Sequence, residues 1–411
     1  MTAQARGRCR ICGGGVEEFL DLGRQPLSDA FRRPDDTGPE FFHRLAAGRC
    51  RACTMVQLTS EVPRERMFHQ GYPYRSSGSA VMREHFARTA LGYAETELAG
   101  RDAPFFVEIG CNDGALLRTM AGAGVRHLGF EPSGGVAAVA RGHGVNVSTD
   151  FFEEATAAAV RESHGPADVI YAANTICHLP YMESVLRGVA ALLAPDGVFA
   201  FEDPYLGDIL QKTSFDQIYD EHFFLFCARS VRSMAERFGF ELVGVERLPV
   251  HGGEVRYTLA KAGARRPAAA VRRLLDWEDE QGVADPEALA AFASAVADIR
   301  SDLIDLLRML RAAGKSVAGY GATAKSATVT NYCGIGPDLV SYVCDTTPAK
   351  QDRLTPGAHI PVRSPEFFAE NRPDYALLFA WNHADEILAK EREFREAGGK
   401  WITYVPEVRV L

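Results

Sequence analysis

The sequence predicts an α/β protein in three parts: a small cysteine-bearing N-terminal module, a central doubly wound domain and a smaller C-terminal α/β domain. Three observations lead there. The chain has 411 residues, and single cores stop growing at roughly 250–300 residues. From about Pro104 onward, apolar runs of strand length alternate with helical segments, the mark of βαβ units and a parallel sheet. Two Cys-x-x-Cys pairs, Cys9/Cys12 and Cys50/Cys53, stand ahead of that alternation.

Residues 1–75 are rich in Gly, Arg and Pro with short apolar pieces at Glu18-Phe19-Leu20 and Met55-Val56-Gln57-Leu58, as a metal-stapled module would be. A helix is expected over Val81–Leu98. In residues 76–284 the strands are PFFVEIG, RHLGFEP, VNVSTDF, ADVIYAAN and GVFAFEDP, each followed by a helix or loop; Phe240–Arg247 and Val255–Ala260 complete the sheet. In residues 285–411 a helix over Asp285–Gly314 carries Leu289, Phe292, Val296, Ile299, Leu303, Leu306 and Leu310 at steps of three and four, one apolar stripe. Pro286 and Gly314 mark its limits. KSVAGYGATAKS, DLVSYVCDT, DYALLFAWN and KWITYVPEV then supply a second set of strands.

Hydrophobic residues at 46% and charged residues at 24% are globular values. The net charge of −9 disfavours a nucleic-acid partner, which calls for a basic footprint. No apolar run approaches the ~18 residues of a membrane span, and the start MTAQARGRCRICGG lacks the apolar core of a secretory signal. Five further cysteines, Cys111, Cys177, Cys227, Cys333 and Cys344, are scattered rather than paired. That fits a reducing compartment, so a cytoplasmic protein is expected. The oligomeric state is left open, a monomer included.

Cys9, Cys12, Cys50 and Cys53 offer four thiolates in two knuckles, a donor set suited to tetrahedral zinc. With all four positions filled by sulfur no place remains for water, so the metal is expected to be structural. The 37 residues between Cys12 and Cys50 exceed the spacing of compact zinc ribbons.

Glu108-Ile109-Gly110-Cys111-Asn112-Asp113-Gly114 ends the first strand and opens a helix. Its Gly-x-x-x-Gly spacing differs from the Gly-x-Gly-x-x-Gly that cradles a pyrophosphate, which disfavours a dinucleotide and suits a ligand with an amino-acid tail. Glu131 after the second strand is placed to accept from ribose hydroxyls. Asp150 and Phe151 after the third are placed to meet a purine, although Asp150 serves a helix cap equally well. Asn174 follows the fourth strand. Beyond the fifth, Ser214–Phe226 crowds Tyr219, Asp220, Glu221 and His222 together, with His178 on the preceding strand end and Tyr72 and Tyr74 as a candidate lid.

CRICGGGVEEFLDLGRQPLSDAF, VEIGCNDGALL, GFEPS, AANTICH, FEDPYLGD, FDQIYDEHFFLF, PVHGGEVRY, GYGATAKS and FAWNH together resemble, in this order and over nearly the whole chain, the sugar C-3 methyltransferases of branched-deoxysugar biosynthesis. The likeness is greatest to the branch that serves D-tetronitrose pathways. The resemblance implies a zinc-binding N-terminal domain, a central Rossmann-like S-adenosylmethionine domain and a C-terminal domain that helps hold a dTDP-linked 4-keto deoxysugar. It implies zinc ligation by the four cysteines and cofactor contacts from Glu108, Gly110 and Glu131, to which Asn112, Gly114, Asp150, Phe151 and Asn174 are added as neighbours on the same strand ends. Carbon methylation beside a ketone needs a base to take the α proton and a donor for the oxyanion. The resemblance assigns the base to His222, with Tyr219, Glu221, His178 and one of Tyr72 and Tyr74 around it. Glu221 is expected to orient or charge the imidazole.

In the C-terminal domain Tyr320, Thr323, Lys325 and Ser326 form a loop fit for a diphosphate, and Asn331, Asn382 and His383 are candidates for further nucleotide contacts. The expected reaction is C-3 methylation of a dTDP-3-amino-4-keto-2,3,6-trideoxyhexose. The alternatives are the same reaction on a 3-hydroxy-4-keto sugar, O- or N-methylation, and, from another class, a zinc-dependent nucleic-acid-binding protein, which the acidic balance disfavours.

Overall fold

The computed structural model describes residues 7–68 and 74–411. Three sheets organise them, of four, seven and six strands. In the N-terminal module β1 (Val16–Pro26) and β2 (Phe42–Cys50) form a long antiparallel pair, with β3 (Val56–Leu58) beside β2. The fourth strand of this sheet is Phe224–Leu225, from the segment rich in acid–base side chains; Val56 pairs with Leu225 and Gln57 with Phe224. The long cysteine spacing follows from this layout. The chain between Cys12 and Cys50 runs through both long strands and through a loop that reaches the C-terminal domain, where Arg32 and Leu354 exchange backbone hydrogen bonds and Gly357 N–H donates to Glu40 at 2.7 Å.

The central sheet comprises β4 (Phe105–Ile109), β5 (Arg126–Phe130), β6 (Val147–Ser148), β7 (Ala167–Ala173), β8 (Leu193–Pro204), β10 (Phe240–Leu248) and β11 (Glu254–Lys261), with Phe224–Leu225 counted as β9. Its order is β10-β11-β8-β7-β4-β5-β6. The strands β4 to β8 run parallel, and β11 lies antiparallel between β8 and β10. From β4 the chain moves outward through β5 and β6, then returns to the other side of β4 as β7. That reversal opens a crevice at the carboxyl ends of β4 and β7, where doubly wound sheets bind ligands. The strands there are buried on both faces, as parallel strands covered by helices are. The expected helix over Val81–Leu98 spans Ala80–Thr96. The third strand of the sequence reading is shorter than expected, two residues at the sheet edge.

The C-terminal sheet has the order β14-β13-β12-β15-β16-β17, with β12 Val317–Tyr320, β13 Val343–Cys344, β14 Val362–Arg363, β15 Tyr375–Leu378, β16 Lys400–Thr403 and β17 Arg409–Val410. It contains the four expected strands and two short additions. The helix Pro286–Ala312 leads into it and buries the expected stripe, except that Leu307 lies in the core where Leu306 was expected and Leu306 is half-buried. Among the described residues no helix is long and apolar enough to cross a membrane.

Candidate active site and metal centre

The four cysteines converge. Cys9 Sγ lies 3.5 Å from Cys53 Sγ and Cys12 Sγ lies 3.4 Å from Cys50 Sγ. A tetrahedron of sulfurs at ~2.3 Å from zinc has edges of roughly 3.8 Å, so the set closes on one ion with little movement. The hydrogen bond between Cys9 and Cys53 lowers the Cys9 thiol and favours a thiolate there, the form that ligates. Backbone N–H groups of Ile11, Gly14 and Ala52 point at the sulfurs, the second layer of donors that thiolate sites use.

At the crevice, Gly110 has φ of 71°, and a Cβ there would stand 2.2 Å from Thr175 Oγ1. Glycine is therefore required by conformation and by space. Gly114, at φ of 77°, is hemmed in by Val145 and Ala140. Asn112 and Asn174 are both left-handed, with φ of 49° and 47°. The Asn112 side chain accepts from Ser76 N–H at 3.0 Å and donates to the Tyr74 carbonyl, while Asp113 accepts from Ser77. The segment Tyr74–Ser77 is thus laid over the glycine loop. Glu131 accepts from the N–H groups of Asn112 and Ser133 at 3.1 and 2.8 Å. Glu108 Oε2 and Asp113 Oδ1 are buried with no hydrogen-bond partner, and burial pushes the Glu108 carboxyl well up. Such atoms need a ligand's donors.

The third strand end is arranged differently from expectation. Asp150 is exposed and takes its hydrogen bond from Ser148 Oγ at 2.7 Å, and the cap of the following helix is Glu153 rather than Asp150. Phe151 is covered by the Arg64 guanidinium of the N-terminal module, 4.0 Å from its ring centre; Arg64 also pairs with Glu153 at 2.5 Å.

His222 lies deep, 3% exposed. Its Nδ1 is 2.7 Å from the Gln217 carbonyl, which can only accept, so Nδ1 carries the proton. Nε2 is left with a lone pair and accepts from the Tyr219 hydroxyl at 2.7 Å. Both nitrogens are thus held by Gln217 and Tyr219 rather than by the expected Glu221; burial raises the Tyr219 phenol, with the charge of Glu221 adding to it. Burial, with His178 adding to it, pushes the His222 imidazolium well below its ordinary value. His178 stacks on His222 at 5.3 Å with 27° between the rings; its Nε2 is buried without a partner, and burial takes it down to about 3. Cys177, His178 and His222 could be read as metal donors, all within 4.8 Å. Both His222 nitrogens are already engaged, by the Gln217 carbonyl and the Tyr219 hydroxyl, which leaves no free lone pair there for an ion. Tyr74 is 42% exposed, and burial of its hydroxyl end near Glu254, Asp113, Asp29 and Glu221 raises its phenol. Tyr72 lies outside the described residues.

In the C-terminal domain several expected ligand contacts are used internally. Tyr320 donates to Glu391 at 2.7 Å, Asn331 donates to the Ala327 and Pro356 carbonyls, Thr323 caps the helix Ala324–Cys333, and Ser326 donates to the Thr323 carbonyl. Lys325 points inward, over the Trp381 ring at 5.1 Å and toward the His251 carbonyl at 3.4 Å. His383 faces His251, and Asn382 lies beside it in the turn Trp381–His383. Sequence reasoning missed Gln217, Asp216, His251 and Glu254. Trp381 and Tyr404 both donate to Asp216 at 2.6 Å, joining the Ser214–Phe226 segment to the C-terminal sheet. The paired glycines of PVHGGEVRY were the signal available for His251 and Glu254.

A doubly wound sheet with a glycine loop, unpartnered carboxylates and a tetrathiolate cluster is the frame of a zinc-containing S-adenosylmethionine-dependent methyltransferase. A methyltransferase domain model matches residues 83–245, a zinc binding domain model residues 9–68 and a C-methyltransferase C-terminal domain model residues 249–406. The chain is 36% identical to the C-methyltransferase NovU of Streptomyces niveus over 98% of this chain and 96% of that one. It belongs to the C-methyltransferase family. Solved structures that match in part include the magnesium protoporphyrin IX methyltransferase of Synechocystis PCC 6803 with bound SAH, at 13% identity and TM-score 0.35 over 46% of this chain and 90% of that one. The CcbJ methyltransferase of Streptomyces caelestis matches at 17% identity and TM-score 0.34 over 43% and 90%.

Proposed function

We propose that the protein methylates C-3 of a dTDP-3-amino-4-keto-2,3,6-trideoxyhexose, with residues 1–75 fixing the catalytic segment, 76–284 holding the cofactor and 285–411 closing on the nucleotide. The observation that carries the reading is the buried Tyr219–His222 pair, whose Nε2 lone pair is a neutral base beside the crevice. S-adenosylmethionine supplies an electrophilic methyl group on a sulfonium. Gly110, Asn112, Asn174, Glu108 and Glu131 are the residues to hold it. The proton α to the C-4 ketone leaves for the Tyr219–His222 pair and settles on Nε2. His178, with Nε2 unpartnered and its ring neutral, is the donor for the resulting enolate oxygen, in its Nε2–H tautomer. Lys325, Asn382 and His383 serve the nucleotide side. Mass spectrometry of the sugar nucleotide after incubation with S-adenosylmethionine tests the reading: gain of one methyl, on carbon by NMR, is expected. Methyl on oxygen or nitrogen, or none on this sugar, overturns it.

A further inference from the structure

β11 opens with Glu254, directly after Gly252 and Gly253 at φ of 95° and 121°. A Cβ at Gly252 would stand 2.5 Å from the Trp381 ring, and one at Gly253 would stand 2.4 Å from Asp208 Oδ2. The strand start is therefore pinned between the C-terminal domain and the helix Leu206–Lys212. Glu254 pairs with Pro204 of β8, and Arg256 with Glu202, which puts Glu254 on the same face of the sheet as Glu202.

The two carboxylates differ in what they meet. Glu202 is bonded by His85 at 2.7 Å and by Arg256 at 2.5 Å. Glu254 is 0% exposed; among the described residues the Asn174 side chain is the one donor near it, and neither oxygen is met by a well-aligned hydrogen bond. Burial, with Glu202 and Asp203 adding to it, raises its carboxyl well above the ordinary range, while Asn174 and Lys325 oppose the rise. The ladder locates it: Ala173 of β7 pairs with Glu202 and Glu254 pairs with Pro204, so Glu254 stands across the end of β8 from Asn174, while Gly252 just before it packs on Trp381 of the C-terminal domain. A buried carboxylate with a single loosely placed amide donor is costly unless a ligand brings more.

We infer that Glu254 is a specificity-determining residue that receives the C-3 amino group of the acceptor. The inference rests on the proposed function and deepens it. An amine shares one proton with the carboxyl, as ammonium and carboxylate or as amine and acid, and presents further N–H donors to both oxygens. A 3-hydroxyl brings one donor and no positive charge. Glu254 therefore favours amino over hydroxy sugars, while the cofactor is held by the glycine loop.

The test compares 3-amino and 3-hydroxy dTDP-4-keto sugars with wild type and Glu254→Gln, reading kcat and KM separately, along with S-adenosylmethionine affinity by calorimetry. The expected result is a wild-type preference for the amino sugar that falls by at least 30-fold in the variant, mainly through KM, with cofactor affinity within threefold. An unchanged preference, or a loss equal for both sugars with weakened cofactor binding, overturns the inference and leaves C-3 methylation standing. A wild type that methylates neither sugar overturns both. Should Glu254→Gln not fold, Glu254→Asp carries the same comparison: the preference drops at least fivefold, and an unchanged ratio refutes the role.

Discussion

Removing the metal should abolish turnover while leaving the cofactor site largely intact, because the zinc module builds one wall of the catalytic segment. β3 pairs with Phe224–Leu225, Leu58 N–H donates to the Phe223 carbonyl at 2.8 Å, and Phe223 and Phe224 are 4% and 1% exposed. Apparent zinc binding energies of ~10–16 kcal/mol match or exceed the ~5–15 kcal/mol by which domains are stable, so the stripped module should unfold rather than loosen. The segment next to His222 would then lose about two hydrogen bonds at ~1 kcal/mol each and part of the burial of two phenylalanines. A loss of about 4 kcal/mol lowers the population of the competent arrangement roughly 10³-fold, at 1.36 kcal/mol per decade. The cofactor loop stands on β4 and β5 and loses from the module the Tyr74 carbonyl on Asn112 and the Arg64 guanidinium over Phe151, with Ser76 and Ser77 loosened beside them, so its affinity should weaken by no more than about tenfold. The assay is chelation or a Cys50→Ser/Cys53→Ser variant, with zinc content, circular dichroism, calorimetry with S-adenosylmethionine and turnover measured on one sample. Full turnover in protein verified to be metal-free would refute the reasoning.

Other outcomes follow from the same geometry. Tyr219→Phe leaves His222 Nε2 buried and unpaired and should reduce kcat by roughly 10²–10⁴ with KM little changed; a variant at wild-type kcat removes Tyr219 from the proton path. Gly110→Ala meets both a φ of 71° and the Thr175 hydroxyl, and should weaken S-adenosylmethionine binding at least tenfold in calorimetry; unchanged affinity would show that the loop is not the cofactor's seat. The base is active when neutral, and burial depresses its pKa. Activity should therefore persist as pH falls through 6.5, the ordinary imidazole value, with the acid limb of the kcat profile lying below it; an acid limb at or above 6.5 would contradict a desolvated imidazole.

Much of this was legible in the sequence because local spacing encodes it. The cysteine knuckles and the Gly110 loop are set by turns of a few residues, and the long helix after Pro286 announces itself by its stripe. What the sequence hid depends on contacts between distant segments. Phe224–Leu225 is a two-residue strand whose partner lies more than 160 positions earlier, so neither length nor periodicity marks it. The polar side chains of Tyr320, Ser326 and Asn331 look available in sequence, yet each meets a donor or acceptor within its own domain. Glu254 is the converse case: a carboxylate beside two glycines reads as an exposed turn, and only the pairing of β11 with β8 reveals that it is buried.

The central claim is that His222 accepts the proton from C-3. Solvent deuterium uptake at C-3 of the amino sugar, in the presence of S-adenosylhomocysteine so that no methyl can be transferred, measures that step alone. The account predicts exchange with the wild-type protein and none above background with His222→Gln that still binds S-adenosylhomocysteine. Undiminished exchange in that variant would contradict it.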